Sequence, residues 1–163
     1  MRAGSIYLMA MALAALPCAA QAQIVLGQPK AVDGDTLDFG GSRTRLFGID
    51  APEYQQTCKR NGEVWACGKE AQAVLADLIA GKQVRCSQND IDTYGRTVAT
   101  CTADGLDLSE VLATAGLAIA LSQFTDRYVE NEARARANRV GIWASEFQLP
   151  ADYRATNADF LAQ

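Results

Sequence analysis

Histidine is missing from all 163 residues. Its absence excludes Ser-His-Asp chemistry, imidazole acid-base work and the zinc sites that need His ligands. Any chemistry must therefore run on carboxylates, arginines, backbone groups and water. Excess positive charge is missing as well, with 15 Lys and Arg against 19 Asp and Glu and a net charge of −4. An acidic chain gains nothing from bulk attraction to nucleic acid. If it acts on a polyanion, a few arginines must be placed locally and a bound cation must supply the remaining charge. After the first residues no apolar run is long enough to cross a bilayer. There are no internal repeats, low-complexity stretches or domain linkers.

The first residues carry Arg2, an apolar run from Ile6 to Leu16 and the small-residue pattern Ala20-Gln21-Ala22, which predicts an export signal over 1–22 cleaved after Ala22. A lipid anchor at Cys18 is the alternative, and Pro17 fits it poorly. Cleavage would leave 141 residues, enough for one domain with a single core. It would also remove one base, Arg2, and move the net charge from −4 to −5. Four cysteines would remain, and four cysteines in an exported chain point to two disulfides. Of the three pairings, Cys58–Cys67, closing a loop, and Cys86–Cys101, tying neighbouring strands, are favoured over a reactive thiol or a metal site. The expected localisation is periplasmic or secreted, without stable membrane association, and the chain is expected to be a monomer.

Ile24 to Val32, Thr36 to Phe39 and Arg43 to Ile49 read as strands, broken by Asp33-Gly34-Asp35 and by Gly40-Gly41, which predicts an antiparallel meander. The stretch from Tyr54 to Cys67 is polar and reads as an irregular loop. Ala71, Val74, Leu75, Leu78 and Ile79 recur at the helical period before Gly81. Val84 to Ser87 and Thr97 to Thr102 form a second strand pair. Asp107 and Glu110 resemble a capping box for a short helix closed by Gly116. Thr125 is expected to cap a last helix with Val129, Ala133, Ala137 and Val140 on one face, before Ile142 and Trp143 dock on the core. The tail from 146 to 163 is polar and weakly patterned and is expected to fray. This order predicts a mainly β α+β fold, a small closed barrel with about three packed helices, over 23–145.

Asp35 opens its strand on the same side as Leu37 and Phe39, at the rim of the core. An unpaired carboxylate is costly there, and one that holds a cation is at home. Asp50 ends the next strand and can approach it. Two carboxylates and a turn carbonyl suit Ca²⁺ with water completing the shell; two acids at strand ends are also commonly solvated. Arg45 shares the strand of Asp50 at a spacing of five, which in a flat strand sends the two to opposite faces. Gly48 is where a bend would re-aim one of them, and Pro52 stiffens the exit that holds Glu53. Arg96, after Tyr94-Gly95, is either a surface charge or a phosphate fork.

VDGDT (32–36), RLFGIDAPE (45–53), DTYGR (92–96), GLA (116–118) and GIW (141–143) occur in the order and approximate spacing of the thermonuclease, or staphylococcal nuclease-like, family, and the likeness runs from about 24 to 145. The resemblance implies a five-stranded OB-fold barrel and a Ca²⁺-dependent phosphodiesterase that cuts DNA and RNA, leaving 3′-phosphate ends. It implies that Asp35 and Asp50 bind Ca²⁺ through their side chains and Ala51 through its carbonyl, with Asp33 close to the ion. It assigns Arg45 and Arg96 to phosphate, Glu53 to the general base, and Tyr94 and Phe124 to the substrate. Ser122 and Phe124 stand where the type member has tyrosines, and Thr93 where it has lysine. Ser122 cannot stack on a base, whereas Phe124 can stack or pack in the core. The alternative is a non-catalytic OB-fold module that binds nucleic acid or protein; such modules typically lose these acids and arginines.

Overall fold

The computed structural model describes residues 23–157. The expected export signal lies outside them. The described residues open with β1 (Ile24–Gly27) and β2 (Lys30–Ala31), two halves of one bent strand interrupted at Gln28-Pro29. Then come β3 (Thr36–Asp38), β4 (Arg43–Leu46) and β5 (Ile49–Asp50). The main sheet runs β1, β8 (Val84–Ile91), β9 (Thr97–Ala103), β4, β3, β2, with β10 (Leu106–Asp107) paired to β9 beside this path. Because its first and last members are joined in sequence, the sheet curls round on itself into the OB-type barrel. With β1 and β2 counted as one strand, the barrel has five, as expected.

Leu37, Leu46, Ile49, Val84, Ala99 and the half-cystines 86 and 101 fill the barrel. Both disulfides join the expected partners. Cys86 lies directly opposite Cys101 on the β8–β9 ladder, which brings the two sulfurs together without distortion of the register. Helix α1 (Cys67–Ile79) buries Ala71, Leu75 and Ile79 against this core, at the period read from sequence. Helix α2 (Leu108–Thr114) is capped by Asp107, whose carboxylate accepts the Ser109 and Glu110 amides.

Three elements differ from the sequence reading. The stretch after Tyr54 is not all loop: β6 (Cys58–Arg60) and β7 (Glu63–Trp65) form a hairpin about Asn61-Gly62, both at positive φ, the turn chemistry that two-residue hairpins prefer. Helix α3 (Val129–Ala137) starts after Tyr128, not at Thr125, whose hydroxyl instead accepts the Arg127 amide. Its buried side is Asn131, Glu132 and Ala135, while Val129 and Val140 are exposed. The polar pair can be buried because it is bonded: Asn131 donates to Thr114, and Glu132 accepts the Ala120 amide. Lastly, the expected fraying tail contains α4 (Pro150–Thr156), a fourth helix with buried Pro150 at its start. A 3₁₀ turn, Gly141–Ala144, docks Ile142 and Trp143 beside the Cys58–Cys67 bridge.

Candidate active site

The site is built around the break between β4 and β5. A flat strand would separate Arg45 from Asp50, but β4 ends at Leu46 and β5 begins at Ile49. Gly48 turns the chain there at a φ of 78°, a conformation that side chains other than glycine resist. An added Cβ would also lie 2.6 Å from Thr125 Cγ2 and 2.7 Å from the Tyr128 ring. This bend brings the Arg45 guanidinium onto Asp50 Oδ1, resolving the parity conflict. β5 is then held by β11 (Ile119–Ala120), which follows GLA, with Ile119 opposite Asp50.

Asp35 enters from the turn before β3, whose ladder with β4 sets Thr36 opposite Arg45. The Asp33-Gly34-Asp35 turn fits against Ala51 and Ala71, each 2.7 Å from where a Cβ on Gly34 would lie. Asp33 Oδ1 accepts the Asp35 amide at 2.9 Å, fixing the turn. Asp35 Oδ1 then meets Arg45 Nη1 at 3.1 Å, and Asp35 Oδ2 accepts the Ala51 amide at 2.8 Å. One arginine therefore spans the two acids read from sequence. Ala51 touches Asp35 through its N–H.

Burial pushes the Asp35 carboxyl up to about 7; Arg45 opposes this, and the neighbouring charges of Asp33 and Asp50 add to it. For Arg45 itself, burial works against the charge, but Asp35 and Asp50 outweigh it and raise its pKa. The resident guanidinium thus leaves the acids undercompensated. A hard divalent cation fits that surplus and that oxygen donor set. Among the described residues no three Asp, Glu, Cys or His side chains converge on one point. A bound cation would draw on Asp35, Asp50, backbone oxygen and water.

Glu53 follows Pro52 in the loop leaving β5. Gln56, itself buried, holds the loop by accepting the Glu53 amide at 3.2 Å and donating from Nε2 to the Gln148 carbonyl at 2.7 Å. Glu53 Oε1 accepts Arg154 Nη1 at 2.7 Å. The same Nη1 reaches Asp50 Oδ1 at 2.9 Å, while Nη2 reaches Asp50 Oδ2 at 3.0 Å. Arg154 lies on α4, in the segment expected to fray. The available signal was LPADYR, with a Pro start, an acid in the first turn and a base in the last.

Arg96 lies apart from these contacts. Its Nε donates to Asp92 Oδ2 at 2.7 Å within the β8–β9 turn, and its guanidinium sits 5.5 Å from the Tyr94 ring centre. Bonds from the Arg96 and Tyr94 backbone and from the Arg96 side chain lower the Asp92 pKa, against the opposing effect of its partial burial. The parallel β4–β9 register sets Arg45 beside Val98, and Arg96 lies in the turn just before β9, two residues earlier. Tyr94 is 84% exposed and Phe124 63% exposed, which removes core packing as the reason for either ring. The Phe124 amide donates to Leu121, whose own amide bonds the Gly48 carbonyl.

A sequence profile described as "Staphylococcal nuclease homologue" matches residues 43–145. The chain belongs to that family. It is 37% identical over 134 residues to "Succinoglycan biosynthesis protein ExoI" of Rhizobium meliloti (strain 1021), covering 78% of this chain and 69% of that protein. It is 31% identical over 130 residues to "Micrococcal nuclease" of Shigella flexneri, covering 69% and 70%. An "Uncharacterized endonuclease" of Haemophilus influenzae is 29% identical over 133 residues, covering 77% and 70%. The family match begins after Asp33 and Asp35 and ends before Arg154, and contacts with Arg45 and Asp50 bring Asp35 and Arg154 into the same cluster.

Proposed function

We propose that the chain is an exported, Ca²⁺-dependent, sugar-nonspecific nuclease that hydrolyses phosphodiester bonds of DNA and RNA and leaves 3′-phosphate ends. The observation that carries the proposal is the meeting of Asp35, Arg45 and Asp50 at one bend, with Glu53 beside them. Family membership and the relatives named as nucleases support it.

Phosphodiester hydrolysis needs a water aligned with the leaving oxygen and neutralisation of the charge that grows on the phosphoryl oxygens. Arg45 binds a non-bridging phosphate oxygen with donors already oriented by two acids, and Arg96 reaches the phosphate from the β8–β9 turn. Glu53 holds the attacking water and takes its proton. Ca²⁺ bound by Asp35, Asp50 and the Ala51 carbonyl would supply Lewis-acid charge to the phosphoryl group. Tyr94 and Phe124 offer exposed rings to unpaired bases. Export is supported by the two disulfides and by the signal-like start of the sequence.

The test is to incubate the oxidised protein, without residues 1–22, with plasmid DNA and with RNA, in Ca²⁺ or in chelator. Both polymers should be shortened in Ca²⁺ and neither in chelator. If both remain intact in Ca²⁺, the enzyme reading fails and a binding module takes its place.

A further inference from the structure

Arg154 is the charge that the nuclease reading does not use. It lies 104 residues from Asp50 in sequence, yet it bonds both oxygens of Asp50 and one of Glu53. Three contacts from one planar group fix two carboxylates relative to each other in a way that a lone ion pair cannot. Burial disfavours its charge, but the bonds to Asp50 and Glu53 more than offset this and raise its pKa, so it stays a cation at any working pH.

Its delivery is built into the fold. The Glu146 and Lys59 backbones exchange bonds of 2.8 and 2.9 Å, anchoring the segment to β6. Gln56 ties the Glu53 amide to the Gln148 carbonyl through one buried side chain. The loop that carries Glu53 and the segment that carries Arg154 are therefore positioned by the same amide. The clamp takes Glu53 Oε1 and leaves Oε2 without a protein partner among the described residues. Asp33, Asp35, Asp50 and Glu53 also outnumber Arg45 and Arg154, so the clamp does not cancel the surplus acid that suits a cation.

We infer that Arg154 is a positioning residue for Glu53, and that α4 is part of the working active site although the family match ends at 145. The inference rests on the nuclease reading above. Arg154 locks Glu53 against Asp50, so that one oxygen is immobilised and the other faces the attacking water. Its stability role is limited because Asp50, though only 7% exposed, keeps Arg45 as a partner when Arg154 is lost. Its effect belongs to geometry, where a displacement of an ångström can cost about 100-fold in rate.

The test compares Arg154→Met, which keeps the stem without the charge, and Arg154→Lys with wild type, on DNA at saturating Ca²⁺. Arg154→Met should lose about 100-fold in kcat with KM within about threefold, and should melt within a few degrees of wild type. Arg154→Lys should recover about tenfold of that loss, since an ammonium restores charge but not the fork. Added guanidinium ion should raise the rate of Arg154→Met above an equal concentration of sodium. Turnover in Arg154→Met at or above the wild-type rate overturns the inference while leaving the nuclease reading intact. Equal losses in both variants with no guanidinium effect also overturn it, marking a structural anchor. Should Arg154→Met lose its cooperative melt, Arg154→Lys decides alone: its kcat must still fall about tenfold, and a wild-type kcat overturns the inference. If wild type cuts neither DNA nor RNA, the nuclease reading falls and takes the clamp with it.

Discussion

Two buried acid networks flank β5, and they are balanced in opposite ways. In one, Asp107 is nearly saturated by neutral donors: the Ser109 and Glu110 amides, the Tyr128 hydroxyl at 3.0 Å, and the single cation Arg127 at 2.9 Å. Burial and the Asp107 charge push the Tyr128 hydroxyl up to about 12, which keeps it a donor. In the other, Asp35, Asp50 and Glu53 pair with Arg45 and Arg154, Asp33 bonds the Asp35 amide beside them, and burial pushes Asp35 up to about 7. Each network buries acids, but only the second holds more acid than its own donors can compensate. The first therefore reads as a cap that joins α2 to the start of α3, and the second is the seat proposed above for an outside cation and a phosphate.

The sharpest way to break that distinction is to remove Glu53, the acid proposed to hold the attacking water. Glu53→Gln should lower kcat on DNA by about 10³-fold with the melting temperature unchanged. Next, Arg45→Ala should lose about 10²- to 10³-fold in turnover and also melt earlier, since it leaves Asp35 and Asp50 buried without their shared partner. Arg127→Ala, on the other side, should leave turnover within about threefold, because Arg127 is half in water and Asp107 keeps its three neutral donors. Arg96→Ala should also cut turnover by about 10²-fold while leaving the melt in place, since Arg96 bonds only within its own turn.

The smallest expected effect concerns pH. The folded Asp35 carboxyl titrates near 7 against 3.8 for the ordinary group, so the fold prefers it protonated. Its contribution to stability is fully present below about 4 and is lost as pH rises through about 7. In chelator, urea melts of wild type should therefore weaken over that window by more than those of Asp35→Asn, which cannot titrate there. Ca²⁺ should return stability at pH 8. Parallel pH profiles for the two proteins would contradict the surplus-acid account.

How much of this was legible in sequence follows from how local each device is. The DGD turn and RLFGIDAPE hold Asp33, Asp35, Arg45, Asp50 and Glu53 within 21 residues, and a bend at Gly48 is a local need of the backbone. The disulfide pairings followed from one loop and one strand pair. The buried face of α3 was not legible by period, because Asn131 is made tolerable inside by Thr114 and Glu110, and Glu132 by the Ala120 amide and Arg136. The β6–β7 hairpin had its signal in Asn61-Gly62, masked by the polar composition around it. Arg154 was hidden for a different reason. Its partners lie more than a hundred residues away, and a seven-residue helix at a polar end has little apolar period to announce it.

The most direct measurement sets the two networks side by side. Turnover of DNA in Ca²⁺ is measured for Asp50→Asn and Asp107→Asn below the melting temperature of each. Asp50→Asn should lose at least about 100-fold while Asp107→Asn stays within a few-fold of wild type. Comparable losses in the two, or wild-type turnover in Asp50→Asn, would contradict the assignment of the surplus-acid network as the active site.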